Sequence, residues 1–199
     1  MTGNESVNEN LPANQPPVGR PIEPANPKDD PAPIGPGRLP THLVGDQDSA
    51  RARMVDVGGK QPTARRAVAE AVVWFPAGLL EQVLAGKGPK GAIEEVSRIA
   101  GVMAAKRTSE LVPLCHGLAL EVVDITFQQR DASRLEIRCI AQTFGPTGVE
   151  MEAMVGASHA ALCVYDMVKG LDKGVRIEGL ALVEKSGGKS GTWKASGPS

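Results

Sequence analysis

The chain has 199 residues, with 22 Lys plus Arg against 23 Asp plus Glu and a formal charge of -1, so neither a polybasic nucleic-acid binder nor a strongly acidic chain is indicated. Its 41% apolar content suits one globular domain with a real core. No apolar run approaches the roughly 18 to 20 residues of a membrane span, and the N-terminus has no apolar secretion segment. Three cysteines, Cys115, Cys139 and Cys163, without a CxxC pair fit a reducing, cytoplasmic setting better than a disulfide framework.

Residues 1 to 40 hold ten of the 16 prolines and no aromatic, whereas all six aromatics lie beyond Pro40. That leader reads as a disordered Pro-rich extension, 41–192 as the folded domain and 193–199 as a flexible C-terminal tail. The run TARRAVAEAVVWF (63–75) puts Ala67, Ala69, Ala71 and Val73 on one side of a period-2 pattern; alanine would equally suit a helix, and the alternation favours a strand. Pro76 stops it, and AGLLEQVLAG reads as a short helix closed by Gly86. Residues 91–107 place Ile93, Val96, Ile99, Ala100 and Met103 at helical spacing, which predicts an amphipathic helix with that stripe against a partner.

Two β-type runs, 118–128 and 134–144, flank a polar turn with Asp131 and Ser133 and read as a hairpin. A long helix follows, with Thr147 as N-cap, Glu150 at the capping-box position and Gly170 at the stop. A strand over 175–185 comes last. The order β-α-β-β-α-β predicts an α+β, ferredoxin-like antiparallel sheet with helices on one face. Such a scaffold hosts many functions, so function must come from particular residues.

Glycine-lysine turns recur as GGK (58–60), GKGPKG (86–91) and KSGGKSG (185–191); each could aim backbone N–H groups and an ammonium at phosphate, although a solvated turn is the plainer reading of any one alone. A P-loop is excluded, because Val183 stands where its first glycine would precede Gly188-Lys189-Ser190. The long helix carries Glu150, Glu152, His159, Asp166 and Lys169 among small apolar residues, with Glu152, His159 and Asp166 close to one face. Glu150 and Glu152 could simply favour the helix N-terminus, but an acid in the last turn, Asp166, opposes the helix dipole and requires Lys169 or a site to offset it. His116, in VPLCHG, could be structural or an acid/base near neutral pH. Neither His159 with Cys163 nor Cys115 with His116 has the spacing of a closed zinc site, so no metal is expected.

Five motifs stand in order: MVDVGGK (54–60), AGVMAAKRTSELVPLCH (100–116), GVEMEAM (148–154), YDMVK (165–169) and KSGGKSG (185–191). Over roughly residues 41 to 192 the chain resembles the cyclic pyranopterin monophosphate synthase family, the C protein of molybdenum-cofactor biosynthesis. The resemblance implies a ferredoxin-like lyase that turns 3',8-cyclo-7,8-dihydroguanosine triphosphate into cyclic pyranopterin monophosphate and pyrophosphate, assembled as a hexamer of three dimers with sites at the dimer interface. It places Lys90, His116, Glu150, Glu152, Asp166, Lys169 and Lys185 at active-site positions, with Leu114, Cys115 and Met151 beside the substrate.

Chemistry suits those types. Lys90 and Lys185 would neutralise phosphates, Glu152 would accept the paired N–H donors of a guanine edge, and Asp166 would be the principal acid/base, held by Lys169 and assisted by His116. No cofactor is required, because the rearrangement involves no net electron transfer. Lys90, His116 and Glu152 are expected from one subunit and Asp166 with Lys169 from its partner, with Gly156, Ala157, Ala160 and Ala161 permitting close helix approach. The competing reading, a non-catalytic nucleotide- or RNA-binding module, is weakened by a strand, 134–144, whose one aromatic is Phe144.

Deleting residues 1–40 is expected to leave activity and assembly nearly unchanged, since the leader has little apolar surface to add to a core. Activity and sedimentation of the truncated chain check this; loss of both would mean that the leader packs on the domain or its neighbour.

Overall fold

The computed structural model describes residues 52–88 and 90–196, so the leader lies outside the described residues. Strands β1 (Thr63–Trp74), β2 (Val122–Gln129), β3 (Arg134–Gly145) and β4 (Arg176–Ser186), with a two-residue β5 (Trp193–Lys194), form one antiparallel sheet in the order β2-β3-β1-β4-β5. Helices α1 (Leu79–Gln82), α2 (Ile93–Ala105), α3 (Thr108–Leu111) and α4 (Glu150–Val168) complete the chain. This is the ferredoxin-like arrangement expected. Trp193 and Lys194 pair with Lys185 and Glu184 of β4, within the stretch expected to be a tail.

β1 is the central strand, and its alternation decides its environment. Ala67, Ala69, Ala71 and Val73 are fully buried beneath α4, opposite Ala141, Cys139, Ile137 and Leu135 of β3. Alanine is abundant there because α4 brings its own small residues, Ala153, Ala157, Ala160 and Ala161, against the sheet. β1 is buried on its other face too: Val68, Glu70 and Val72 lie beneath long side chains rather than beneath helices. Glu70 and Glu136 meet Arg130 and Arg138 there, with Arg130 Nε 2.5 Å from Glu136 and Arg138 Nη2 3.2 Å from Glu70. Arg134 joins Glu178 at 3.1 Å, and Arg66 joins Glu184 at 2.8 Å. Four arginines and four glutamates, paired with one another, therefore finish this face of the sheet.

Three local expectations are corrected. The stripe Val96, Ile99 and Met103 does not face the core: these residues are 45%, 58% and 51% exposed, and α2 instead buries Ile93, Ser97, Gly101, Ala104 and Ala105. α2 lies too close to α4 for large side chains. A Cβ on Gly101 would meet Ile125 Cδ1, Gly156 O at 2.7 Å and Ala160 Cβ at 3.1 Å. Next, Thr147 does not cap α4. The cap position is Val149, no side chain caps the helix, and Glu150 is taken by Lys185 instead of by a capping box. Finally, β2 starts at Val122 rather than 118, and just before it the chain stays beside β3 through a side-chain bond, Thr143 Oγ1 donating to the carbonyl of Ala119 at 2.6 Å.

Gly86 ends the α1 region as expected, with φ at 76°, although the helix first widens into a π-turn over Val83–Lys87.

Gly101→Ala is expected to destabilise the fold by about 1–3 kcal/mol, the usual cost of overpacking. Alanine's helix preference, worth about 1 kcal/mol, opposes this, but the clash with a backbone oxygen on α4 cannot be relieved by a rotamer change. The urea midpoint measures the result.

Candidate active site

The expected site residues gather in two clusters at the two ends of α4. At the N-terminal end, Glu150 accepts from Lys185 Nζ at 2.8 Å. Lys185 reaches it from the last turn of sheet before the KSGG loop, where Gly187 and Gly188 take φ of 101° and 70°. These glycines are required: a Cβ on Gly187 would strike the carbonyl of Ala64, and one on Gly188 the guanidinium of Arg65. Arg65 in turn donates to the carbonyls of Gly145 and Pro146 at 3.3 Å each, so it ties the KSGG loop to the segment that leads into α4.

Beside this pair lies a cavity of about 140 Å³ bounded by Glu152, His116, Lys106, Thr108 and Leu118. The backbone makes it by folding back after α2. Thr108 Oγ1 donates to the Ala105 carbonyl at 2.9 Å, α3 closes with Val112 N to Thr108 O at 2.8 Å, and Cys115 N reaches Val112 O at 3.0 Å. His116 is thereby returned to the end of α2, opposite the first turn of α4. Glu152 is 4% exposed. Burial pushes its carboxyl up, Glu150 adds to the rise, and its backbone N–H partly offsets both. The Cys115 thiol is raised as well, by burial first and then by Glu152. Leu114 and Met151 stand exposed, close in sequence to His116 and Glu152.

At the C-terminal end of α4, Asp166 is gripped by two ammonium groups: Lys90 Nζ lies 2.6 Å from Oδ2 and Lys169 Nζ 2.7 Å from Oδ1. Lys90 also donates to the Asp166 carbonyl at 3.2 Å. The acid expected to oppose the helix dipole is thus offset twice. Lys169 and then Lys90 hold its carboxyl down at about 2, and Asp166 raises Lys169 in return. All three side chains are about half exposed. Asp166 is therefore a carboxylate at neutral pH, with no proton to donate, and its geometry suits it to aligning two cations.

Two sequence expectations change. Lys90 was placed with His116 and Glu152, but within one chain it belongs with Asp166 and Lys169. Lys106 was not singled out, yet it borders the cavity with Glu152 and His116; its place in AAKRTSELVPLCH, ten residues before the histidine, was the available signal. Lys90, Asp166 and Lys169 are one group, and Lys185, Glu150, Glu152 and His116 the other. The fourteen residues from Glu152 to Asp166 span about 21 Å of helix, so no small reacting centre touches both groups of one chain. Among the described residues, no three His, Cys, Asp or Glu side chains converge as metal ligands.

A ferredoxin-like α+β scaffold that presents a buried carboxylate beside a histidine, and acid–lysine pairs at both ends of one helix, is an enzyme scaffold suited to acid–base work on an anion. The chain belongs to the MoaC family, which it matches over residues 54–188, a span holding every residue of both clusters. A cyclic pyranopterin monophosphate synthase of Listeria monocytogenes serotype 4a (strain HCC23) is 50% identical over 148 residues, 74% of this chain and 92% of the relative. Synthases of the same description from Novosphingobium aromaticivorans and Pelotomaculum thermopropionicum are 51% and 48% identical over 155 and 158 residues, covering 78% and 79% of this chain and 96% and 91% of theirs.

Glu152→Gln keeps the shape and removes the charge. It is expected to lower kcat/KM by about 10- to 100-fold, the worth of a hydrogen bond to a charged group. Its effect on stability has a definite sign. A carboxyl raised by burial is penalised only when ionised, so Gln should gain on the wild type as pH rises from 4 to 8. Urea midpoints of the two proteins across that range test it; a pH-independent difference would show that Glu152 is not desolvated.

Proposed function

We propose that this chain is a cyclic pyranopterin monophosphate synthase of molybdenum-cofactor biosynthesis, which converts 3',8-cyclo-7,8-dihydroguanosine 5'-triphosphate to cyclic pyranopterin monophosphate and pyrophosphate. The observation that carries the reading is that seven residues named by the family resemblance, scattered from 90 to 185 in sequence, gather in two groups at the two ends of one helix. Glu152 in its small polar cavity suits the paired N–H donors of a guanine edge, and binding such donors would favour the ionised carboxylate that burial disfavours. Lys185, Lys90 and Lys169 offer ammonium groups to the triphosphate. His116 and Lys106 border the same cavity and are placed to move protons as the purine imidazole opens and the pterin closes. Closing the cyclic phosphate forms one P–O bond at the α-phosphorus while the bond from that phosphorus to the bridging oxygen breaks, and the bridging oxygen leaves with pyrophosphate. Pyrophosphate carries away the negative charge, which the lysines stabilise.

The site so described needs both ends of α4, and the helix separates them. Two antiparallel copies of α4 related by a two-fold axis would bring Glu152 of one chain to Asp166 of its partner and make two whole sites. The exposed apolar residues Val96, Ile99 and Met103 of α2 and Leu162 of α4 supply surface that further assembly to a hexamer would cover. No helix among the described residues is long and apolar enough to cross a membrane, and the three cysteines are free, in keeping with a cytoplasmic enzyme. An RNA-binding reading finds no support on the helix-free face. Its salt-bridged lattice is balanced in charge, and Trp74 is covered by Arg176, 4.1 Å from the ring centroid.

Asp166→Asn is expected to cut pyrophosphate release from the cyclised guanosine triphosphate by about 10- to 150-fold, the worth of hydrogen bonds to a charged group, since both ammonium groups lose their anchor. Mixing Glu152→Gln with Asp166→Asn chains, with exchange verified by mass, should restore about a quarter of the sites, because a mixed pair holds one intact site and one doubly altered site. Exchange without recovery would place the whole site within one chain.

A further inference from the structure

β5 adds almost nothing to the core. Trp193 is 44% exposed and the Lys194 side chain 70%, so pairing these two residues with β4 buries little. The ion pair that comes with it, Lys194 Nζ to Glu184 at 3.6 Å, is an exposed one of the kind that stabilises weakly. What β5 does have is its register, which sets Trp193 opposite Lys185, the lysine offered above to the triphosphate. We propose that Trp193 is a positioning residue for Lys185: its indole walls the outer side of the lysine stem and keeps the ammonium turned toward α4 and the phosphates. This rests on the synthase reading above and adds a residue to its phosphate-binding end.

Residues opposite one another in an antiparallel ladder share a face, with Cβ atoms about 4.5–5.5 Å apart. Lys185 has a partner of this kind on each side: Ala67 on the central strand β1 and Trp193 on the edge strand β5. The row Ala67, Lys185, Trp193 lies on the helix side of the sheet, because Ala67 is fully buried beneath α4 and Lys185 Nζ meets Glu150 of α4 at 2.8 Å. The next row, Val68, Glu184, Lys194, lies on the opposite face, where Glu184 takes both Arg66 and Lys194. The indole therefore stands with Lys185 and not among the arginines. Alanine on one flank leaves room beneath the first turn of α4, and the indole on the other occupies the space into which a flexible lysine stem would otherwise swing. Lysine loses much rotamer freedom when its ammonium is held in one place, and a neighbouring wall removes part of that freedom before any anion arrives.

The loop between β4 and β5 is built to bring the chain back to this contact. Gly187, Gly188 and Gly191 take left-handed φ values of 101°, 70° and 65°. Gly191 N–H donates to the Gly188 carbonyl at 3.3 Å, and beyond the strand Ala195 N–H donates to the Val183 carbonyl at 3.0 Å. Trp193 is thus held between two backbone bonds, one on the loop and one past it. The glycines of KSGGKSG serve two ends: they let the loop lie against Ala64 and Arg65, and they return an aromatic residue to the lysine that opens the motif.

The test is the affinity of the full chain for inorganic pyrophosphate, measured by calorimetry in a double-mutant cycle over Trp193→Gly and Lys185→Ala. Trp193→Gly should raise the dissociation constant about tenfold, the low end of what a hydrogen bond to a charged group is worth. Trp193→Phe, which restores an aromatic wall, should recover most of that loss. The urea midpoints of both variants should stay near the wild type, because the indole is half exposed. On the Lys185→Ala background Trp193→Gly should cost nothing further, since a residue that acts through another is silent once the other is gone. Full affinity in Trp193→Gly, an equal loss on both backgrounds, or a wild type that binds no pyrophosphate would each overturn the proposal. The synthase reading is judged apart, by whether the wild type releases pyrophosphate from the cyclised guanosine triphosphate: release beside any of those outcomes leaves that reading standing, and no release removes it.

Discussion

Where α2 crosses α4, Gly101 faces Gly156 and Ala160, and on its other side Gly156 touches Cys139 of the sheet. This triple contact leaves no room for a single added methyl group, and through it α4 is locked to both the sheet and its neighbouring helix. The stabilisation is dispersion between close-packed atoms, small per pair and large in sum. Its structural result is a continuous helix of nineteen residues fixed at its middle to both neighbours. Glu150 and Glu152 at one end and Asp166 with Lys169 at the other inherit their positions from that helix.

The same helix gives two carboxylates opposite environments. Glu152 loses water to the cavity beside His116 and is pushed toward its neutral form, whereas Asp166 keeps water, gains two ammonium partners and is pinned as an anion. Burial dominates in the first case and hydrogen-bonded charge in the second. One carboxyl is shifted toward its neutral form and the other is held as an anion, and this separates a group whose charge a bound ligand can restore from one that arranges its neighbours.

Most of the architecture was readable from the residues, since strand alternation in β1 and β3, the helical spacing of α2 and α4, and the Pro76 and Gly170 stops are all local signals. The errors have a common cause. Periodicity locates a stripe on α2 but not its partner, and here the small side, not the greasy side, faces inward because close helix approach outweighs the burial of larger side chains. Thr147 and Glu150 fit a capping box by spacing, yet Lys185, thirty-five residues on, competes for the acid. For the site, residue types were legible through the family motifs. Grouping was not: that Lys90 reaches Asp166 across seventy-six residues is a property of the βαβ crossover, and Lys106 borders the cavity only because α3 turns the chain back.

The far side of the sheet completes itself without a second layer. Glu70 and Glu136 are almost wholly covered, and what covers them is arginine. Removing one member of such a set strands a buried charge, at a cost of about 3–5 kcal/mol, while exchanging both members together for apolar or oppositely ordered residues is close to neutral. Over evolutionary time these positions would therefore drift as couples rather than singly. Glutamate and arginine could trade strands and leave the surface equally well sealed, and the helix on the opposite side would register no change.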